Sequence, residues 1–106
     1  MNTFQLDCFI AVADTLNFAR AAERLGITQP AVTHQIQTLE NELDIKLFAR
    51  STRSVKLTPE GVLFLNDARE ILTISMRAKR RFKTPDIQNI QKLALGFQNP
   101  LYLLPF

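Results

Sequence analysis

The sequence predicts a mainly α-helical domain with a two-stranded β-hairpin inserted before one long C-terminal helix. Three observations predict it. Apolar residues recur at helical spacing through most of the first 43 positions, a Gly26 to Pro30 break ends one helix and begins another, and strand-like alternation appears only around residues 46–58.

The first helix is "NTFQLDCFIAVADTL". Leu6, Phe9, Val12, Ala13 and Leu16 fall on one stripe, Asn2 or Thr3 is placed to cap the start, and Phe4 points away from the stripe. In "NFARAAERLG", Asn17 suits the N-cap, Ala21, Ala22 and Leu25 allow close packing, and Gly26 can take the left-handed conformation that ends the helix. Ile27 fills the turn. Thr28 then offers the next capping oxygen, and Pro30 sits in the first turn, where its missing N–H costs nothing. Two helices joined by so short a glycine-containing turn form a helix-turn-helix unit.

On the third helix Val32, Ile36, Leu39 and Leu43 mark the buried face. At about 100° per residue His34 lies nearly opposite them, near Pro30, Thr38 and Asn41 and flanked by Thr33 and Gln37. The outward face of the first half carries short polar groups and no acid; Glu40 and Glu42 come only later.

"KLFAR" and "SVKLT" read as short strands around the loop Ser51, Thr52, Arg53, with Val55 and Leu57 alternating with Ser54 and Lys56. This hairpin is a wing whose tip is basic through Arg50 and Arg53. The long helix follows, with Thr58 as cap, Pro59 first and Glu60 in the first turn, and it is expected to run to about Phe82. Phe64, Leu65, Ala68, Ile71, Leu72, Ser75, Met76, Ala78 and Phe82 form its apolar stripe, and a second copy of the helix is expected to cover it. The expected division is therefore 1–58 for the winged helix-turn-helix, 59–83 for a dimerising linker helix, 84–91 for a hinge, and 92–106 for the opening of a further domain.

Composition narrows the function. The 106 residues are 46% hydrophobic and 22% charged, an ordinary globular balance. No apolar run approaches the length needed to span a bilayer and no signal-peptide pattern opens the chain, which predicts a cytoplasmic protein without a membrane partner. Cys8 has no partner for a disulfide or a metal site and is expected to be a packed thiol. The net charge of +3 comes from the second half, since residues 1–58 hold six basic and six acidic side chains. One histidine, one cysteine, no glycine-rich phosphate loop and no carboxylate cluster leave no catalytic or metal constellation, so no enzyme is expected.

The chain resembles the N-terminal region of LysR-type transcriptional regulators. The resemblance is carried by "FARAAERLGITQPAVTHQIQTLENEL" and "LFARSTRSVKLTPEG": Ala21 and Ala22, Leu25, Thr28 to Ala31, Leu39 and Glu40, Leu47 to Arg50, and Arg53 to Gly61. "LALGFQNPLYLLP" is similar to the start of the family's effector-binding domain. Three positions depart from the pattern: Asp44 replaces a common glycine, His34 a position that is often basic, and Ala19 a common hydroxyl residue.

The resemblance implies a sequence-specific regulator that binds an interrupted dyad in double-stranded DNA as a homodimer, with tetramers in the full-length family. The third helix would enter the major groove, with Gln29, Pro30, Ala31, Thr33 and His34 at the bases. Thr28, Arg50, Thr52 and Arg53 would contact the backbone or minor groove. No cofactor is expected in residues 1–106, and a small-molecule effector is implied for the remaining domain. The competing expectation is a winged-helix module for protein assembly.

Overall fold

The structure is a computed structural model, and it describes residues 1–83. Its order is α1 (Thr3–Thr15), α2 (Phe18–Leu25), α3 (Gln29–Leu43), β1 (Phe48–Arg50), β2 (Val55–Leu57) and α4 (Pro59–Arg81). The expected hinge at 84–91 and the segment 92–106 lie outside the described residues.

Each helix begins on a side-chain oxygen that satisfies an orphan backbone N–H. Asn2 accepts from Gln5, Asn17 from Arg20 and Thr28 from Ala31. Thr58 does the same for α4, accepting from Gly61 at 2.9 Å. Each of the first three helices ends on a residue in the left-handed region: Leu16 (φ 51°), Gly26 (φ 69°) and Asp44 (φ 55°). Glycine takes that conformation freely; leucine and aspartate do so at a cost. The backbone N–H groups of Gly26 and Asp44 each return to carbonyls of the preceding turn.

The core is made by α1, α2 and α3 together with the root of the wing: Leu6, Phe9, Val12, Val32, Ile36, Leu39 and Leu47 are all fully buried. Leu16 departs from expectation. As the left-handed cap it points outward and is 45% exposed, while Cys8 and Ala11 fill the space instead. The strands pair antiparallel in the register Phe48 to Leu57 and Arg50 to Val55. A chain of rings continues the core from α1 into its neighbours: Phe9 lies 5.5 Å from Phe48 and 5.3 Å from Phe64, and Phe18 lies 6.0 Å from Phe48.

Packing therefore runs past the boundary expected at residue 58. The chain divides into two compact units, and the first, Met1–Leu72, includes the first turns of α4. Ala68 is completely buried within its own chain, and Phe64, Leu65 and Leu72 are half-buried against the same core. Those side chains extend the core of their own chain along α4. Gly61 makes the close approach possible: a Cβ there would sit 2.2 Å from the Leu47 carbonyl oxygen. The large apolar groups exposed along α4 are Val62, Leu63, Ile71, Ile74 and Met76, with Phe82 exposed just past its end and Ser75 half-buried. Val62, Leu63 and Ile74 were not part of the expected stripe.

Candidate nucleic-acid interface

Burying Val32, Ile36 and Leu39 fixes the rotation of α3, and that rotation presents the opposite face to solvent. Gln29, Pro30, Thr33, His34 and Gln37 line one open groove along this face. Gln29, Pro30 and His34 are exposed, while Ala31 and Thr33 are half-buried. Thr28 spends one oxygen lone pair on the Ala31 N–H, leaving its hydroxyl proton free.

A second cleft was not foreseen. It brings the start of α2 (Leu16, Asn17, Phe18, Ala19) against Gln29 and the wing loop Ser51 to Val55. Thr52 and Arg53 stand on its wing side and are exposed. The loop has an internal scaffold centred on Ser51. Its N–H donates to the Ser54 carbonyl at 2.9 Å, and its Oγ accepts from the N–H groups of Ser54 at 3.1 Å and Arg53 at 3.3 Å. These bonds hold the loop in one turn at the edge of the cleft.

Arg50 takes a different place from Arg53. Its guanidinium carbon lies 4.3 Å from the centre of the Phe18 ring, so the side chain rests on α2 and remains exposed. Among the described residues Arg50 forms no ion pair with Glu40 or Glu42. Glu40 is occupied elsewhere. It is only 3% exposed, and its Oε2 accepts from the N–H groups of Leu47 and Phe48, tying α3 to the wing. Glu42 pairs with the Met1 amino group. Asp14 bridges two arginines, Arg24 at 3.0 Å and Arg69 at 3.1 Å, and so links α1 to α2 and α4.

The sequence pointed to Gln29, Pro30, Ala31, Thr33 and His34; four of them line one groove on α3, and Ala31 is half-buried outside it. It also pointed to Thr52 and Arg53, which the fold places across a cleft from the start of α2. It missed Asn17, Phe18 and Ser51. Phe18 carried a weak signal, an aromatic residue directly after a helix cap; the Arg50 stack upon it exists only once the wing has folded back. Among the described residues no group of His, Cys, Asp or Glu is placed to hold a metal, and no helix is long and apolar enough to cross a membrane.

A helix-turn-helix whose second helix offers a free polar face, with a two-stranded wing beside it, is a winged helix-turn-helix domain of the DNA-binding class. More particularly, the chain belongs to the lysR family of bacterial regulatory helix-turn-helix proteins, whose profile matches residues 4–62. It is 47% identical over 81 residues to the HTH-type transcriptional regulator TfdT of Cupriavidus pinatubonensis, covering 76% of this chain and 36% of that protein. It is 41% identical over 99 residues to the HTH-type transcriptional regulator TcbR of Pseudomonas sp. strain P51, covering 92% of this chain and 34% of that protein. The chain thus spans about a third of the length of these curated relatives. Among solved structures it is similar to the CbnR DNA-binding domain in its DNA complex, with a TM-score of 0.76 and 46% identity over 78% of this chain and 95% of that one. The BenM DNA-binding domain with catB site 1 DNA is also similar, with a TM-score of 0.74 and 40% identity over 78% of this chain and 93% of that one.

Proposed function

We propose that this chain is the DNA-reading part of a cytoplasmic transcriptional regulator, which binds duplex DNA as a homodimer at an interrupted dyad. The observation that carries the reading is the outward face of α3. Its first half offers only neutral donors, acceptors and small apolar groups, while the opposite stripe is sealed in the core.

A major groove about 12 Å wide admits such a helix. Gln29 has the amide fork that suits adenine, Pro30 and Ala31 suit a thymine methyl, and Thr33 and His34 reach base edges or the adjacent phosphates. The cleft between α2 and the wing takes the phosphate backbone, with Arg53 supplying charge and Thr52 a hydroxyl donor, while Thr28 at the start of α3 and Arg50, stacked on Phe18, add contacts outside the cleft. A neutral balance over residues 1–58 does not oppose this, because the affinity comes from the few cations placed at phosphates and a dimer doubles them. The similarity to CbnR and BenM domains solved with DNA supports the reading.

The second subunit is assigned to the apolar groups that α4 leaves outward, Leu63, Ile71, Ile74, Met76 and Phe82, in place of the buried Ala68. A small-molecule effector and a tetramer belong to the full-length protein by family resemblance. Selection of bound sequences from a random duplex pool tests the whole reading. Enrichment of inverted half-sites separated by about one helical turn or a multiple of it is expected. Weak binding to every duplex with no enriched sequence would reject it in favour of a protein-assembly module.

A further inference from the structure

Phe18 is the first residue of α2, directly after its cap Asn17, and it is only 8% exposed. Its ring has two neighbours on the wing. Phe48 meets it nearly edge to face, with centroids 6.0 Å apart and planes at 70°, and the Arg50 guanidinium carbon lies 4.3 Å from its centre. Phe48 and Arg50 stand two apart on β1, so their side chains leave the same face of the strand. Phe48 is buried there and packs on Phe9 of α1 at 5.5 Å, while Arg50 is exposed. The ring that carries Arg50 is thus seated in the core.

The kind of contact matters. A carboxylate partner would cancel the arginine's charge and occupy its donors, whereas the face of a phenylalanine ring attracts the cation through its quadrupole and offers no oxygen. Among the described residues Arg50 forms no ion pair, and the stack on Phe18 is its side-chain contact. The guanidinium keeps its charge and its fork of N–H donors while the side chain that bears it is held in place. A phosphate gains most from an arginine in that condition, because a free side chain gives up its rotamer freedom on contact and a stacked one has given it up already. Phe18 also lines the cleft between α2 and the wing, together with Thr52 and Arg53, so the stacked guanidinium borders the surface assigned to the DNA backbone.

We propose that Phe18 is a positioning residue for DNA binding: by holding the Arg50 guanidinium on its ring face, it presents that cation, already ordered, to a backbone phosphate beside the wing. The inference rests on the DNA-binding reading above and deepens it. A phosphate contact carries no sequence information, so Phe18 sets affinity and leaves base preference unchanged.

The test is a double-mutant cycle in the full chain, measured on a duplex selected by the wild-type protein. Arg50→Ala is expected to weaken binding and to lower the salt slope by roughly 1 per subunit. Phe18→Leu keeps an apolar side chain and removes the ring face. It is expected to weaken binding about threefold per subunit when Arg50 is present, by the same factor on matched and mismatched duplexes, and to leave the affinity of the Arg50→Ala protein unchanged. Leucine also gives up the contact with Phe48, so a second series keeps the ring and drains its face. Mono-, di- and trifluorinated phenylalanine at position 18 differ little in size and carry a progressively less negative face. Affinity is expected to fall stepwise along this series when Arg50 is present and to stay level in the Arg50→Ala background.

A ring that only fills the core would weaken binding by one factor in both backgrounds and would be indifferent to fluorination. Either result overturns the proposal. So does an Arg50→Ala salt slope equal to that of wild type, since there is then no phosphate contact to position. If the wild-type chain binds no duplex, the DNA-binding reading itself fails.

Discussion

Glu40 and Leu47 join α3 to the wing through a hydrogen bond of 2.7 Å, donated by the Leu47 backbone N–H to the Glu40 carboxylate, which also accepts from the Phe48 N–H at 3.4 Å. The carboxylate is buried, so its loss strands two buried donors. Glu40→Ala is expected to destabilise the domain by about 2 to 4 kcal/mol, and Glu40→Gln, which keeps one acceptor, by about half as much. Urea titration of the three proteins checks this, and equal midpoints for wild type and Glu40→Ala would remove the staple from the account.

Gly61 and Gly26 separate two reasons for glycine. At Gly61 an added Cβ meets the Leu47 carbonyl oxygen at 2.2 Å, whereas at Gly26 it meets nothing within 4 Å but φ is +69°. Gly61→Ala must push α4 off the wing root and is expected to cost more than about 2 kcal/mol, as overpacking does. Gly26→Ala is expected to cost only about 1 kcal/mol, the strain of a left-handed alanine. Thermal melts should rank them in that order.

Asp44 occupies the left-handed cap of α3 at φ 55°, where the family pattern has glycine. Asp44→Gly is expected to relieve the strain and raise stability by roughly 0.5 to 1 kcal/mol, after allowing for the extra freedom of glycine in the unfolded chain. A melting temperature that is unchanged or lower would contradict it.

Cys8 is fully buried in the core. Burial, with a smaller contribution from nearby Asp7, raises the thiol from its ordinary 9.0 to about 11. A raised value means that the folded state holds the proton more tightly than the unfolded one. The contribution to stability is therefore complete below pH 9, and it is lost as pH rises from 9 towards 11. A thiol reagent at pH 8 should leave the native protein unmodified and label it fully in denaturant; rapid native labelling would contradict the burial.

Arg53 and Gln29 should fail in different ways. Arg53→Ala is expected to weaken binding to all duplexes about equally and to reduce the salt slope by roughly 1 per subunit. Gln29→Ala should leave that slope alone and relax one base position, at a cost of about 1 to 3 kcal/mol. Salt titrations of both variants on matched and mismatched duplexes distinguish them.

Local signals proved legible and tertiary ones did not. Gly26, Thr28, Pro30, Asn17 and Thr58 announce helix ends because capping depends on chemistry within three or four residues, and all five occupy the predicted positions. Asp44 stood out only against the family pattern, and its left-handed conformation came with the structure. Glu40 was read as a surface acid because nothing local reveals that the chain returns to set two amides against it. The stripe of α4 was read as one face for one partner, and its periodicity gave no sign that Phe64, Leu65, Ala68 and Leu72 pack on the core of their own chain, which depends on how α1 and the wing close. Nor could spacing alone bring the start of α2 to the wing loop.

The peptide of Leu47 is a joint with three attachments. Its N–H is held by Glu40 from α3, its carbonyl accepts the Thr58 N–H at the mouth of α4, and Gly61 sits against that same oxygen. The third helix, the root of the wing and the opening of α4 thus share one backbone anchor, and a substitution that displaces Leu47 disturbs all three at once.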